Sequence, residues 1–344
     1  MQKIYGNQWA GADYWVHPEL RGGFEDWFGF NLSNNYYSTF YSRGEQVEPF
    51  KVEGYQTDGL FDLSIDCLSG HDSSRPWFHV LSFEAPHGGQ GRPPRFPGHP
   101  APPRYEAMFE PERIALRGNV PAQTEAQARK QLCGYYAMIA NIDDNVGRLL
   151  DWLDSSGQAD NTLVVFFADH GDMMGSHGRF NKQVPHEESI RIPLIMRMPG
   201  VIRPGATVGA LASGIDIYPT CAGLCGVPAA ADVQGMDLAG LLDGTGAAER
   251  TDVFIQWIGK TRFEFGDHPY RAIRSRRYTF SVGRDEQFNL LFDNEADPYQ
   301  MNNLFGDPGT AEVKRQLLLR LKRATLRAGE PAPDFLERAL AQPR

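Results

Sequence analysis

No stretch of this 344-residue chain approaches the ~18 consecutive apolar residues of a membrane-spanning helix, so nothing in it reads as a membrane span. Basic residues are in deficit. With 34 Lys and Arg against 43 Asp and Glu, the net charge is −9, the wrong sign for a nucleic-acid partner held through clustered cations. Any anionic substrate must then be met by a few local cations. Cysteine is scarce as well: Cys67, Cys133, Cys221 and Cys225 form no C-x-x-C pair and no Cys/His spacing of a zinc site. They read as free thiols, not as a disulfide framework. The opening run MQKIYGNQWAGADYW lacks the charged region and apolar stretch of a signal peptide, so a chain that genuinely starts at Met1 is expected in the cytoplasm.

What is present suits a globular α/β protein, with 41% hydrophobic and 22% charged residues and enough length for one large domain or two ordinary ones. Three short apolar runs, Trp77–Phe83, Thr162–Ala168 and Ile192–Met198, read as buried strands. Helical spacing lies between them. Leu132, Tyr136, Ile139, Ile142, Val146, Leu149 and Leu153 recur in steps of three or four, with Thr124 and Gln127 spaced as a capping box. Further helices are expected over Asp58–Leu68, ending near Gly70, and from Asp216 towards Gly226 with Pro219 in its first turn. The proline-dense run from Gly88 to Pro103 is expected as a surface loop. Beyond a boundary placed near residue 246, the strand-like pieces DVFIQWI, YRAIRSRRYTFSV and QFNLLFD precede a leucine-rich helix over Ala311–Leu326. That gives a core over 1–245 and a small α+β subdomain over 246–344.

The strongest chemical signal is TLVVFFADHGDMMGSHGRFNK, where an apolar strand ends directly in Asp169-His170-Gly171. Ligands gather at the carboxyl ends of strands in open α/β sheets, and Asp and His are both competent metal ligands. A polar strand-to-loop turn would present the same residues. The basic run Arg271, Arg274, Arg276 and Arg277 reads either as an anion-facing rim or as solvated charges on an exposed strand, the commoner case. Asp293, Glu295 and Asp297 form no calcium loop, because Pro298 stands where an EF-hand requires Gly, and they read as a turn.

Lys182 lies thirteen positions after Asp169, inside NKQVPHEESIRIPLIMRMPG with Glu188, Ser189, Arg191 and Pro193. This block resembles the sulfatases of the alkaline-phosphatase-like superfamily, with their Asp-His pair, Gly-rich loop, Lys and E-S-x-R-x-P segment. The resemblance runs on through RGGFEDWFGFN, EGYQTDGL, SFEAPHGG, YYAMIANIDDNVGRLLDWL, SGIDIYPT, VQGMDLAGLL and LFDNEADPYQMNNL, nearly the whole chain. It implies an alkaline-phosphatase-like mixed sheet flanked by helices, incomplete at its N-terminus, and hydrolysis of small-molecule or saccharide sulfate esters. It further implies that Asp169 and His170 hold a divalent metal, that Lys182 grips the sulfate, and that His87 contacts the sulfate and the leaving-group oxygen. Calcium is the family expectation, with manganese the alternative because His170 offers nitrogen. His177 and His186 are candidates for supporting or substrate contacts, His186 standing where relatives usually show an aromatic.

The sequence departs from the family pattern at its start. Sulfatases of this kind form a formylglycine nucleophile from the Cys or Ser of C/S-x-P-x-R, and no Cys or Ser here has that context. The early Asp-Asp metal pair is absent also; the only such pair, Asp143-Asp144, falls inside the long helix. Where a G-K-W-H segment is expected the chain reads YGNQWAG, keeping Trp9 alone. The expectation is a truncated sulfatase without turnover, with a phosphonate monoester hydrolase or phosphodiesterase, or a non-catalytic anion-binding protein, as rivals.

Overall fold

The computed structural model describes residues 16–29, 34–89, 98–246, 250–259 and 267–341. Trp9 and its YGNQWAG run, Phe30 and Asn31, and positions 90–97 of the proline-dense loop lie outside them. The described residues form two compact units: those up to Leu116 together with Glu125–Ala159, and Arg117–Thr124 together with those from Asp160 onward. The expected boundary near 246 falls within the second unit.

The first unit holds an antiparallel sheet in the order β1 (Phe28–Gly29), β2 (Thr39–Arg43), β3 (Gln46–Val52), followed by α1 (Gln56–Ser69), α2 (Pro103–Glu106) and the long α3 (Glu125–Ser155). Helix α1 ends on Gly70 as the spacing predicts. A Cβ on Gly59 would lie 2.0 Å from Val52 Cγ1, so the bare glycine is what lets β3 and α1 close on each other. Asp58 accepts from the amides of Asn141 and Asn145 on α3 at 2.6 and 2.7 Å. This bond corrects the predicted helix face: Asn141 and Asn145 are buried, whereas Tyr136 and Ile139 are exposed. Two polar side chains with a carboxylate partner take the inner positions that periodicity gave to apolar ones.

The second unit contains β4 (Val164–Phe167), α4 (Glu187–Ile190), β5 (Leu194–Arg197), α5 (Ile217–Leu224) and α6 (Ala239–Asp243). An antiparallel meander follows, β6 (Asp252–Trp257), β7 (Tyr270–Ser275), β8 (Tyr278–Gly283) and β9 (Leu290–Asp293), covered by α7 (Ala311–Arg327) and α8 (Asp334–Ala341). Ile273, Phe280, Leu291, Leu317, Leu321 and Leu336 make its core. The YRAIRSRRYTFSV piece is two strands: the Ser275 hydroxyl donates to the Tyr278 carbonyl at 3.1 Å and accepts its N–H at 2.9 Å, closing a hairpin over Arg276-Arg277 that no Gly, Pro or Asn announces. Helix α5 begins from a capping box between Ser213 and Asp216, and Asp216 is buried, accepting from Met236 N and Arg250.

The three predicted buried strands fare unequally. β4 and β5 pair antiparallel from Val164–Arg197 to Phe167–Leu194, but as a two-stranded sheet, so Phe167, Leu194 and Ile195 are exposed. Trp77–Phe83 forms no strand, and Phe78 is exposed, its ring stacked on Phe24. No helix among the described residues is long and apolar enough to cross a membrane.

Candidate active site

Strand β4 ends at Phe167, and the chain turns into the loop that carries Asp169, His170 and Lys182. Gly171 makes the turn possible. A Cβ there would lie 2.0 Å from the Glu188 carbonyl oxygen, and the Gly171 N–H donates to Ser189 O at 2.9 Å. The Asp172 carboxylate then accepts from Met174 N and Asn181 N, at 3.0 and 3.1 Å, while Met173 N donates to Asn181 O. Met174, His177, Asn181 and Gln183 all have positive φ, between 44° and 78°, and Gln300 is the only other non-glycine among the described residues that does. Non-glycine residues in this region are costly and gather at functional sites.

A polar network fixes this loop from outside. Glu188 Oε1 accepts from Arg117 Nε and Asn119 Nδ2, both at 2.8 Å, and Asn119 Nδ2 also lies 3.1 Å from Tyr299 O and from His177 Nε2. The Asn119 carbonyl accepts from His177 N. Burial alone would raise the Glu188 carboxyl, but hydrogen bonds from Asn119 and backbone, with the nearby Arg117 and His177, hold it below its ordinary value. The His177 and His186 rings lie 4.7 Å apart between centroids, tilted by 52°, and His186 packs on Phe292. Burial lowers both imidazoles, pushing His186 to about 4 with His177 adding to the effect. At 9% exposure His186 is a core residue.

Within the loop, His170 Nδ1 lies 2.8 Å from Gly171 O, which can only accept, so Nδ1 carries a hydrogen and a neutral ring would have its lone pair on Nε2. That Nε2 stands 3.5 Å from Asp169 Oδ2. Two ligands at about 2.1–2.4 Å from one cation, at roughly a right angle, are separated by about this much. The pair therefore fits as two ligands of one metal. Among the described residues no group of three or more His, Cys, Asp or Glu is placed to hold an ion, so the pair does not make a complete shell. Lys182 sits between the left-handed Asn181 and Gln183, on the same loop.

His87 belongs to the first unit. Its N–H donates to Glu84 O, its carbonyl accepts from the Tyr36 hydroxyl at 2.6 Å, and its Nδ1 lies 2.9 Å from both Gly88 O and the Asn34 amide. The ring is thus oriented through Nδ1. Asn34 and Asn119 were not legible as site residues. Their partners stand 53 and 58–180 positions away, and no local pattern marks them.

The basic run divides: Arg271 and Arg274 are largely enclosed, whereas Arg276 and Arg277 are exposed at the hairpin turn. Arg271 grips Glu330 at 2.9 and 3.2 Å, Arg274 grips Glu187 at 2.6 and 3.2 Å, and Arg277 holds Asp293 at 2.6 Å. Arg271 and Arg274 are thereby committed to carboxylates and offer no anion-facing surface. Asp293 also accepts from Glu295 N and Ala296 N, making the DNEADP segment a turn.

The sulfatase family model matches residues 4–227, and the model of the N-sulphoglucosamine sulphohydrolase C-terminal region matches residues 175–327. The chain belongs to the sulfatase family. The ulvan-active sulfatase of Formosa agariphila is 32% identical over 91% of this chain, which spans 60% of that relative's length. The structure of BT4656, solved in complex with its substrate D-glucosamine-2-N,6-O-disulfate, superposes with a TM-score of 0.79 over 95% of this chain and 82% of that one, at 22% identity. A phosphonate monoester hydrolase of Agrobacterium radiobacter gives a TM-score of 0.66 over 80% of this sulfatase chain and 60% of its own, at 25% identity. The α/β fold is that of the alkaline-phosphatase-like sulfatases.

Proposed function

We propose that the chain serves hydrolysis of saccharide sulfate esters, with Lys182 and His87 acting on the sulfate and Asp169 and His170 holding a divalent metal. The observation that carries this reading is the Asp169-His170 pair at 3.5 Å, at the end of β4, on a loop of four left-handed residues that also bears Lys182. Bound there, calcium, or manganese in its place, would polarise the sulfuryl oxygens. The Lys182 ammonium stabilises charge that grows on those oxygens as the ester bond breaks. His87, whose ring is oriented through Nδ1, is the group that would contact the sulfate and the leaving oxygen. The saccharide class is suggested by the ulvan-active and glucosamine-disulfate relatives.

Sulfur displacement in this family uses formylglycine, and the 344 residues contain no C/S-x-P-x-R. The chain alone is therefore expected to give no turnover above background, even beside a formylglycine-generating enzyme. Supplying a segment with that motif should restore it, and Lys182→Ala or His87→Ala should then lower kcat by ~10²–10³-fold. Turnover by the 344-residue chain itself, abolished by Lys182→Ala, would mean that another nucleophile operates. The likeness to a phosphonate monoester hydrolase supports a second reading. Parallel assays of the restored enzyme on aryl sulfate and aryl phosphonate esters decide between them, the sulfate being the expected preference.

A further inference from the structure

The backbone at Lys182 is anchored on both sides. Before it, Asn181 is tied within the loop: its N–H donates to the Asp172 carboxylate and its carbonyl accepts from Met173 N. After it, the anchors come from the C-terminal meander. His268 Nε2 lies 2.8 Å from the Gln183 carbonyl oxygen, across 85 positions of sequence, and Val184 is buried in a cluster with Met173, Tyr270, Ala272 and Phe288. A carbonyl only accepts, so Nε2 carries the hydrogen. The bond fixes the peptide plane that follows Gln183, a residue held at a φ of 78° that its own side chain does not favour.

The donor is itself immobilised. His268 lies on the connection from β6 to β7, and its ring stacks on Phe288 at 4.5 Å and 11° and on Trp257 at 6.1 Å and 23°. Phe288 stacks in turn on Tyr270. Both sequence neighbours of His268 are held by Arg284, whose guanidinium pairs with Asp267 at 3.0 Å and whose N–H donates to Pro269 O at 2.9 Å. A phenylalanine would fill the same stack, so the hydrogen bond is the property that histidine adds. We propose that His268 is a positioning residue for Lys182, its bond to the Gln183 carbonyl holding the left-handed backbone from which the lysine extends. The inference rests on the assignment of Lys182 to the sulfate. A lysine stem is flexible, so the place of its ammonium depends on a fixed backbone at its root, and a misplacement of ~1 Å can cost ~10²-fold in rate.

The peptide bond after Lys182 is a cleavage point for a lysine-specific endoprotease. Native-state proteolysis of the 344-residue chain therefore reads its opening directly, with the bond after Lys322 in α7 as the reference for global unfolding. His268→Phe keeps an aromatic ring and removes the donor, His268→Gln keeps a donor, and His268→Met has the length of Gln without one. Expected is at least ~10-fold faster cleavage after Lys182, relative to Lys322, in the Phe and Met variants, with the Gln variant near wild type. In the enzyme restored with the C/S-x-P-x-R segment, kcat on an aryl sulfate should fall ~10–100-fold in the Phe and Met variants, with KM moving less. The Gln variant should recover most of that loss. Unchanged cleavage after Lys182 in the Phe and Met variants, cleavage of the Gln variant as fast as the Met one, or full kcat in the Met variant would each overturn the proposal. If the Phe variant unfolds, the Gln and Met pair, equal in length, still isolates the donor. A restored wild type inactive on aryl sulfates would instead strike the sulfatase reading, and cleavage after Lys182 would still decide whether His268 holds that backbone.

Discussion

His186, a candidate in the sequence for a supporting or substrate contact, lies in the core, where its ring packs as an aromatic one would, between His177 and Phe292. Its lowered pKa has a definite consequence for stability. A histidine titrating near 6.5 when unfolded and near 4 when folded leaves stability unchanged above pH 6.5. As pH falls from 6.5 to 4 the unfolded chain takes up the proton first, and stability declines by up to ~1.4 kcal/mol per pH unit for this group. His177 shifts in the same direction and adds to the slope. Urea denaturation at intervals between pH 7.5 and 4.5 should show wild type losing stability faster than His186→Phe, which keeps the ring packing. Parallel curves would mean that the imidazole is not held neutral.

Among the elements, α3 contains a test of close approach within a single helix. Gly147 has open space where a Cβ would point, and Gly134 has the His99 carbonyl. Gly147→Ala should stabilise by ~0.5–1 kcal/mol through helix propensity, whereas Gly134→Ala should lose ~1–3 kcal/mol from the clash. Thermal melts of the two variants should move in opposite directions. In the site loop, Gly171→Ala should likewise cost ~1–3 kcal/mol, because the atom it would meet is the Glu188 backbone oxygen, which no rotamer change can relieve. Faster exchange of the residue 171 amide, which bonds Ser189 O, is the local readout.

The same comparison shows what was legible and what was not. A strand running into Asp-His-Gly, a long amphipathic helix and an antiparallel C-terminal region can all be read from spacing, since each depends on neighbours within a few residues. The left-handed Met174 and Gln183 cannot, because neither residue type favours that conformation and only the surrounding bonds impose it. Arg271 and Arg274 were misread for a related reason: their carboxylates stand 59 and 87 positions away. The exposed faces of β4 and β5 look buried in sequence, since an apolar run does not state how many strands will flank it.

For the whole molecule, the expected division near 246 separates residues that the site needs together. Asn119 bonds Tyr299 O, Glu187 N bonds the Gln300 side chain, and Glu187 is gripped by Arg274, so residues beyond 246 hold the loop and the α4 segment behind it. A chain cut at 246 should lose amide protection at Gly171 and aggregate or bind apolar dyes, as hydrogen exchange and dye fluorescence would show. A soluble 1–245 fragment with native protection at that amide would show that the core stands alone.

The bond from Asn119 to Tyr299 spans 180 positions, and it sets an order of events at the ribosome. The strand and glycine turn that carry Asp169 and His170 are synthesised midway through the chain, yet the contacts that close their loop come only after Gln300 has left the exit tunnel. Until then the nascent polypeptide holds Asp169 and His170 on an unbraced segment. Translation pausing before residue 300 would thus prolong the interval in which chaperones and proteases meet this loop in a form the finished protein never displays.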